Sequence, residues 1–216
     1  MRAFVRVAAV AATAAGLFLA PAAGAASAAR TRPAAAPAVQ VPIKSGTTRI
    51  TTIRGVPNLL LRNQIVAIAT DPGTETLIDG TAVFGSPSRP PAFRFAFPVS
   101  GGQVARRSLS GHINHRGGIL LADISNARKV LIGRFTINLG RKTLTGLVNG
   151  NPATRFTLFR LDLSHARIHV SGRTITVSNV GLKITGAAIT ALDTALNTTG
   201  FSTVTKFGTL SSTLHF

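Results

Sequence analysis

The chain has 216 residues, with 24 Lys and Arg, 6 Asp and Glu and no cysteine, and its formal net charge at pH 7 is +18. The lack of cysteine excludes disulfides, thiolate metal sites and a lipid-modified cysteine, and six carboxylates give little material for a catalytic acid pair. Because Tyr and Trp are also absent, the basic residues are not interleaved with the stacking aromatics typical of nucleic-acid binders. The charge therefore favours an anionic cell-wall or membrane surface as partner, and no nucleic acid.

Residues 1–28 have the layout of a secretory signal peptide. Arg2 and Arg6 precede an apolar run at residues 7–20, and A-x-A cleavage sites follow at residues 23–25 and 26–28. The run is shorter than the ~20 apolar residues that span a bilayer, which makes an uncleaved membrane anchor the weaker alternative. Cleavage removes Arg2 and Arg6, so 22 of the 24 basic residues remain against 6 acidic ones, a formal +16. We expect a secreted protein of the cell envelope.

Residues 29–43 are rich in Ala and Pro and predict an extended linker. Residues 44–216 form a single β-rich domain by prediction, because short runs there alternate apolar and polar residues between Gly, Asn, Ser and Pro. The predicted inward faces are Phe93, Phe95 and Phe97; Leu109, Gly111, Ile113 and His115; Leu131, Gly133, Phe135, Ile137 and Leu139; and Ala166, Ile168 and Val170. Further strands are predicted at residues 142–148, 154–163, 173–180 and up to 216. The fold class is all-β, an antiparallel β-sandwich or a barrel-like meander with one or two short helices.

One segment, KITGAAITALDTALNTTGF, breaks the strand alternation. Ile189, Leu192 and Leu196 recur there at helical spacing, with Thr185 as a predicted N-cap and Gly200 as a predicted stop. We therefore expect a short amphipathic helix packed on the sheet. The earlier stretch ITTIRGVPNLLLRNQIVAI has a similar strand–helix–strand layout.

Several pieces of sequence after Phe93 carry a resemblance to a known family. They are FPVSGGQV, LSGHINHRGGILLADISNARKV, FRLDLSHARI and LKITGAAITALDTAL. Over residues 93–216 they resemble the HtaA domain, a β-rich module of actinobacterial secreted and surface proteins associated with haem uptake. In style the chain is closer still to uncharacterised secreted actinobacterial proteins.

The resemblance implies haem as a cofactor or ligand. The family binds haem through an axial tyrosine near the start of the domain, which a histidine hydrogen-bonds, and that histidine corresponds to His115. The tyrosine has no counterpart, because the chain contains none. In RGVPNLLLRNQI, Arg54 stands where a tryptophan is expected and Gln64 where the tyrosine is expected. A glutamine amide does not replace a phenolate on ferric iron.

The stretch GHINHRGG contains two of the five histidines, His112 and His115, and the neighbouring cation Arg116. Residues three apart on a continuous strand face opposite sides, so the two histidines bind one ion only if the strand curls before the glycine pair. His115 continues an apolar face, and its simplest interpretation is a buried histidine bonded to a carbonyl. The alternatives are a ligand contact made by His115, His112 and Arg116, and a protonation switch.

His165, Arg167 and His169 share one face of the predicted strand SHARIHV. The two histidines would lie roughly 13 Å apart at about 3.3 Å per residue, too far to share one metal ion. This basic stripe is interpreted as a solvated face, with contact to an anionic polymer as the alternative.

No enzyme is predicted, because the sequence lacks the nucleophile elbow, zinc-protease, phosphate-loop and dinucleotide motifs. Asp162 and His165 face opposite sides of a regular strand, which disfavours a catalytic pair. Two functions remain. The first is an HtaA-like module that binds haem or another anionic ligand, with His115 in contact and basic side chains on its carboxylates. The second is a structural, strongly basic cell-wall protein that has no small-molecule ligand.

Overall fold

A computed structural model describes residues 39–78, 91–105 and 110–216. Its strands are β1 (Gln40–Pro42), β2 (Ser45–Thr52), β3 (Ile65–Thr70), β4 (Thr74–Ile78), β5 (Ala92–Ala105), β6 (Gly111–His115), β7 (Gly118–Asp123), β8 (Lys129–Asn138), β9 (Thr143–Val148), β10 (Asn151–Asp162), β11 (Arg167–Ser171), β12 (Thr174–Ile184) and β13 (Lys206–His215). The helices are α1 (Gly55–Arg62), α2 (Gly186–Leu196) and a 3₁₀ turn at Gly200–Thr203. The predicted signal peptide and most of the predicted linker lie outside the described residues. The end of that linker belongs to the domain, since β1 pairs with β5.

Eight antiparallel strands close into a barrel. The hydrogen-bonded order runs β5-β2-β13-β12-β10-β9-β8-β6 and returns to β5. Five further strands lie beside this ring: β1 and β4 pair with β5, β7 with β8, β3 with β7, and β11 with β12. The barrel-like, all-β prediction is confirmed. The sandwich alternative is not confirmed, because the ladder of paired strands returns to its starting strand.

The barrel interior is filled with aliphatic and phenylalanine side chains. Phe95 and Phe97 are 2% and 1% exposed, as their alternation predicts, whereas Phe93 is half-buried. The rings of Phe97 and Phe135 meet edge to face with their centroids 5.0 Å apart. Such a contact fixes the position of Phe135, and with it the middle of β8, relative to β5 across the intervening strand β6.

The middle of β8 departs from the predicted alternation at Arg134. The pairing of β8 with β9 shifts register between Gly133 and Thr136, and Arg134 has a φ of +48°. This is a β-bulge, in which one extra residue changes which face the following side chains occupy. Phe135 is buried as predicted, but before the bulge the buried residues are Val130 and Ile132, and Leu131 is only half-buried. The prediction of one continuous inward face from Leu131 to Leu139 is therefore wrong.

The predicted helix is present as α2, and α1 is the second short helix. The hydroxyl oxygen of Thr185 accepts a hydrogen bond from the Ala188 amide at 3.1 Å, which confirms the predicted N-cap. The helix ends at Asn197, which is left-handed at φ +55°, and not at Gly200, which begins the 3₁₀ turn. Asparagine tolerates the left-handed conformation almost as glycine does, and so it ends the helix earlier. In the described part of the chain, neither helix has the length and hydropathy of a membrane-spanning segment.

Candidate anion-binding cleft

The strand β6 places its two histidines on opposite faces. His115 is 4% exposed and points into the barrel beside Ile113, which is 1% exposed. His112 is only half-buried, and its backbone is paired with Gln103 and Asn138. The strand stays regular to its end, so the two imidazoles do not converge on one ligand.

Both ring nitrogens of His115 are bonded inside the protein. Nδ1 lies 3.1 Å from the Phe135 carbonyl oxygen and Nε2 lies 2.7 Å from the Thr48 hydroxyl, which is in turn 2.7 Å from the Ser212 hydroxyl. A carbonyl only accepts, so Nδ1 carries the proton and donates it to Phe135. In the neutral ring Nε2 then accepts from Thr48, and Thr48 accepts from Ser212. Every side-chain polar atom in this buried series of hydrogen bonds has a hydrogen-bond partner.

The environment of His115 favours the neutral ring. Burial lowers its pKa from 6.5 to about 4, and the hydrogen bond to the Phe135 carbonyl opposes this only in part. A neutral imidazole with both nitrogens occupied is a structural bridge between β6, β8 and β2. It holds the Phe135 carbonyl from inside the barrel.

The same bulge is held from the outer face by Arg155. Its Nη2 donates to the Arg134 carbonyl at 3.0 Å, and its Nη1 donates to the hydroxyls of Thr136 and Thr145 at 3.2 and 3.1 Å. The Arg134 amide donates to the Gly117 carbonyl at 3.0 Å. The bulge is therefore fixed from both sides, and bulges commonly re-aim a side chain at a functional site.

Beside this bulge lies an open cleft of about 700 Å³, here called the arginine cleft. Its lining residues are Asp71, Pro72, Ser100, Asn114, His115, Arg116, Gly117, Arg134, Phe135, Thr136 and Arg155. Three guanidinium groups thus face one carboxylate. Among the described residues, no carboxylate lies within ion-pair distance of any of the three arginines. A cleft with this balance suits an anionic ligand, which arginine binds through paired N–H groups.

Of the predicted ligand contacts, His115 and Arg116 line the cleft and His112 does not. Sequence reasoning missed Arg134 and Arg155 as site residues. Alternation along β8 puts Arg134 on the face opposite to Phe135, but nothing in the sequence brings residues 116, 134 and 155 together. Only the closure of the barrel and the bulge do so.

The basic stripe is less regular than predicted. His165 lies in the turn between β10 and β11, whereas Arg167 and His169 lie on β11, and all three are exposed. Asp162 contacts Ser164 and Lys183. Within the described residues, no three His, Cys, Asp or Glu side chains gather in a way that holds a metal ion.

The donor set of the cleft does not fit haem iron. The chain has no tyrosine or cysteine, and its five histidines all lie in the described part. His115, the one histidine in the cleft lining, has both nitrogens engaged in buried hydrogen bonds. Gln64 is exposed in the turn after α1 and is not part of the lining. No side chain of the cleft is therefore available as an axial ligand.

No protein-family model matches the chain, and no curated protein sequence matches it. Among solved structures, it is similar to the C-terminal domain of HtaA from Corynebacterium glutamicum, with a TM-score of 0.51 and 18% identity over 81% of this chain and 98% of that one. The domain-swapped dimer of the H434A variant of the same domain is similar at a TM-score of 0.44 and 19% identity, over 76% of this chain and 93% of that one. The chain has an HtaA-like fold, as the sequence resemblance predicts.

Proposed function

We propose that this chain is a non-enzymatic binding protein of the cell envelope that holds an anionic ligand in the arginine cleft. The observation that supports it is the meeting of Arg116, Arg134 and Arg155 in one open cleft with a single carboxylate. The cleft volume of about 700 Å³ lies in the range of small-molecule sites. The proposed localisation to the cell envelope rests on the signal-peptide layout of residues 1–28.

The ligand chemistry follows from the donors. Among the described residues, the guanidinium groups of Arg116 and Arg134 donate to no protein acceptor. Arg155 instead donates to the Arg134 carbonyl of the bulge and to the hydroxyls of Thr136 and Thr145. A small molecule with two or more carboxylate or phosphate groups would satisfy both free guanidiniums at once. In this proposal, His115 positions the bulge that carries Arg134 and does not contact the ligand.

Haem is not the ligand that this donor set favours. The HtaA-like fold supports a ligand-binding role, but the axial tyrosine of the resembling family is missing and His115 is occupied. We therefore propose recognition through guanidinium groups alone, with no iron ligation by the protein.

The test is calorimetric titration of the chain lacking residues 1–28 with citrate and with inorganic phosphate at constant ionic strength. We expect saturable binding, weakened at least about tenfold by Arg116→Gln with Arg134→Gln, since each charge-assisted pair contributes about 1.5–3 kcal/mol. The control, Arg62→Gln with Arg167→Gln, removes the same charge from exposed sites outside the cleft and leaves affinity within about twofold. Equal losses in both double variants would refute the arginine cleft as the site.

A haem titration tests the exclusion of iron ligation. We expect no saturable shift of the Soret band at micromolar ferric haem. A shift that saturates at one haem per chain, and that disappears in a folded His115→Gln variant, would show that His115 leaves its buried partners to bind iron.

A second function, charge-based attachment to an anionic wall surface, is supported by how the carboxylates are used. Glu75 accepts from the Ala69 amide, Asp123 from Ser125 and Asn126, and Asp162 from Ser164 and Lys183. These acids bond inside the protein, so most cations in the described part of the chain have no carboxylate within ion-pair distance. Binding to isolated cell walls should then weaken steeply as salt rises, and binding that is unchanged at high salt contradicts this function.

A further inference from the structure

Three cations lie directly opposite one another on neighbouring strands of the barrel wall. Arg160 on β10 pairs in register with Lys183 on β12, and Lys183 pairs with Lys206 on β13. All three side chains are exposed on the outer face. We call Arg160, Lys183 and Lys206 the cation row. Adjacent strands are about 4.8 Å apart, so the row places three positive charges over roughly 10 Å of rigid sheet.

This arrangement opposes folding, because like charges directly across a strand pair repel each other. The only carboxylate paired with the row among the described residues is Asp162, whose Oδ2 lies 3.0 Å from Lys183 Nζ. The other oxygen of Asp162 accepts from the Ser164 hydroxyl at 2.6 Å and from the Ser164 amide at 3.1 Å. Arg160 and Lys206 have no carboxylate within ion-pair distance in the described residues.

The row continues into a shallow depression of about 490 Å³. Lys142, Arg160 and Lys183 line it together with Asp162 and Ser164. Lys142 is held there by its backbone, since its carbonyl accepts from the Leu161 amide at 2.8 Å. The surface thus carries four cations and one carboxylate that is already saturated. None of these residues lines the arginine cleft.

We propose that the cation row is a binding track for a linear phosphate polymer that runs across β10, β12 and β13. A single phosphate ion would engage one or two members, whereas a chain of phosphates spans the whole row and removes its repulsion. Arginine and lysine both bind phosphate oxygens through charge-assisted hydrogen bonds. The proposal rests on the second proposed function, charge-based attachment, and is independent of the cleft.

The test uses linear inorganic polyphosphate as the probe, at four or more salt concentrations. The row variant is Arg160→Gln, Lys183→Gln and Lys206→Gln; the matched control is Lys44→Gln, Arg62→Gln and Lys129→Gln, three exposed cations outside the row and outside the basic stripe. The two variants have the same formal net charge, so only the position of the lost charges differs. For single-stranded nucleic acids, each neutralised phosphate contributes about −0.7 to the slope of log K against log salt concentration, and we expect a similar value for polyphosphate. The row variant should lose at least about tenfold in affinity and flatten the slope by about 2, and the control should change neither appreciably.

The outcomes separate this proposal from the function on which it rests. Equal losses in both variants would leave charge-based attachment standing and refute the row. Wild-type binding that does not depend on salt would refute both. If polyglutamate of equal charge competes as well as polyphosphate, the assignment to phosphate is refuted. Melting temperatures guard against misfolding, and the row variant should melt at or above the wild-type temperature because its cross-strand repulsion is gone.

Discussion

At the residue scale, His115 joins the buried interior to the candidate site. It is 4% exposed, and its two nitrogens tie Phe135 on β8 to Thr48 on β2. An ionised imidazole at this position would lose the Thr48 donor and carry an unpaired charge in an apolar barrel. The fold therefore selects the neutral ring, and the free energy of unfolding depends on the protonation of His115.

We predict that the free energy of unfolding falls by about 2 kcal/mol between pH 7 and pH 5 because of His115. Its folded pKa of about 4 lies below the unfolded 6.5, so the unfolded chain binds more protons in this window. The contribution is complete above pH 6.5 and is lost as the pH falls toward 4. Urea unfolding at several pH values measures it.

In this experiment His115→Gln should flatten the dependence between pH 7 and 5, and His112→Gln, outside the buried network, should keep it. Asp123 and Asp162 do not interfere in this window. Their hydrogen bonds to Ser125 and Ser164 hold both carboxyl pKa values below 3.8, so their protonation destabilises the fold only at more acidic pH. An unchanged slope in His115→Gln would contradict the role given to this histidine.

The sequence predicts the placement of His115 but not the site around it, and the reason is the bulge. Period-two alternation alone puts His112 and His115 on opposite faces, and the structure agrees. The bulge at Arg134 cannot be recognised from the sequence, because its residue with positive φ is an arginine and not a glycine. The positions of Arg134 and Arg155 depend on pairing between β8, β9 and β10, which a single sequence does not display.

At the scale of elements, α2 is specified locally at its start and by tertiary contacts at its end. The Asn126 side chain in the β7–β8 turn donates to the Leu196 carbonyl at 3.1 Å and to Asp123 at 2.9 Å. That turn satisfies a carbonyl of the last helical turn, which has no partner within the helix. The sequence thus predicts the N-cap correctly, while the helix end depends on a loop some seventy residues earlier in the chain.

We predict that Thr185→Ala lowers the free energy of unfolding by about 1–2 kcal/mol. The Thr185 hydroxyl accepts from the Ala188 amide at 3.1 Å and donates to the Thr157 carbonyl at 2.7 Å, so alanine loses the cap and a link from α2 to β10. Thr185→Ser keeps both bonds and should recover most of the loss. Chemical denaturation of the three proteins measures the effect, and equal stability of all three would show that the cap contributes nothing.

At the scale of the whole molecule, closure of the barrel depends on β6, the shortest of its eight strands. It is the strand that joins β5 to β8, through residues 111–115 on one side and 112–114 on the other. Composition and alternation predict a β-barrel or a sandwich but do not choose between them, because both bury one face of each strand. The barrel forms, and not the sandwich, because β6 lies close enough to β5 to pair with it. Two glycines allow this approach: Gly102 on β5 lies against the backbone of β6, and Gly111 on β6 lies against the backbone of β5.

We predict that Gly111→Ala destabilises the fold by at least about 2 kcal/mol more than Gly150→Ala. Both glycines have positive φ, +116° and +73°, so both substitutions carry backbone strain of about 1–3 kcal/mol. They differ in space: a Cβ at Gly111 would lie 2.1 Å from the Gln103 carbonyl oxygen, whereas Gly150 has nothing within 4 Å. The clash is with backbone of β5 and is relieved only by separating β5 from β6, which opens the barrel.

Thermal unfolding compares the two variants, and hydrogen exchange of the β6 amides should be accelerated in Gly111→Ala alone. If both variants lose the same stability and protect β6 equally, closure does not depend on this contact and the barrel is held by its remaining strand pairs.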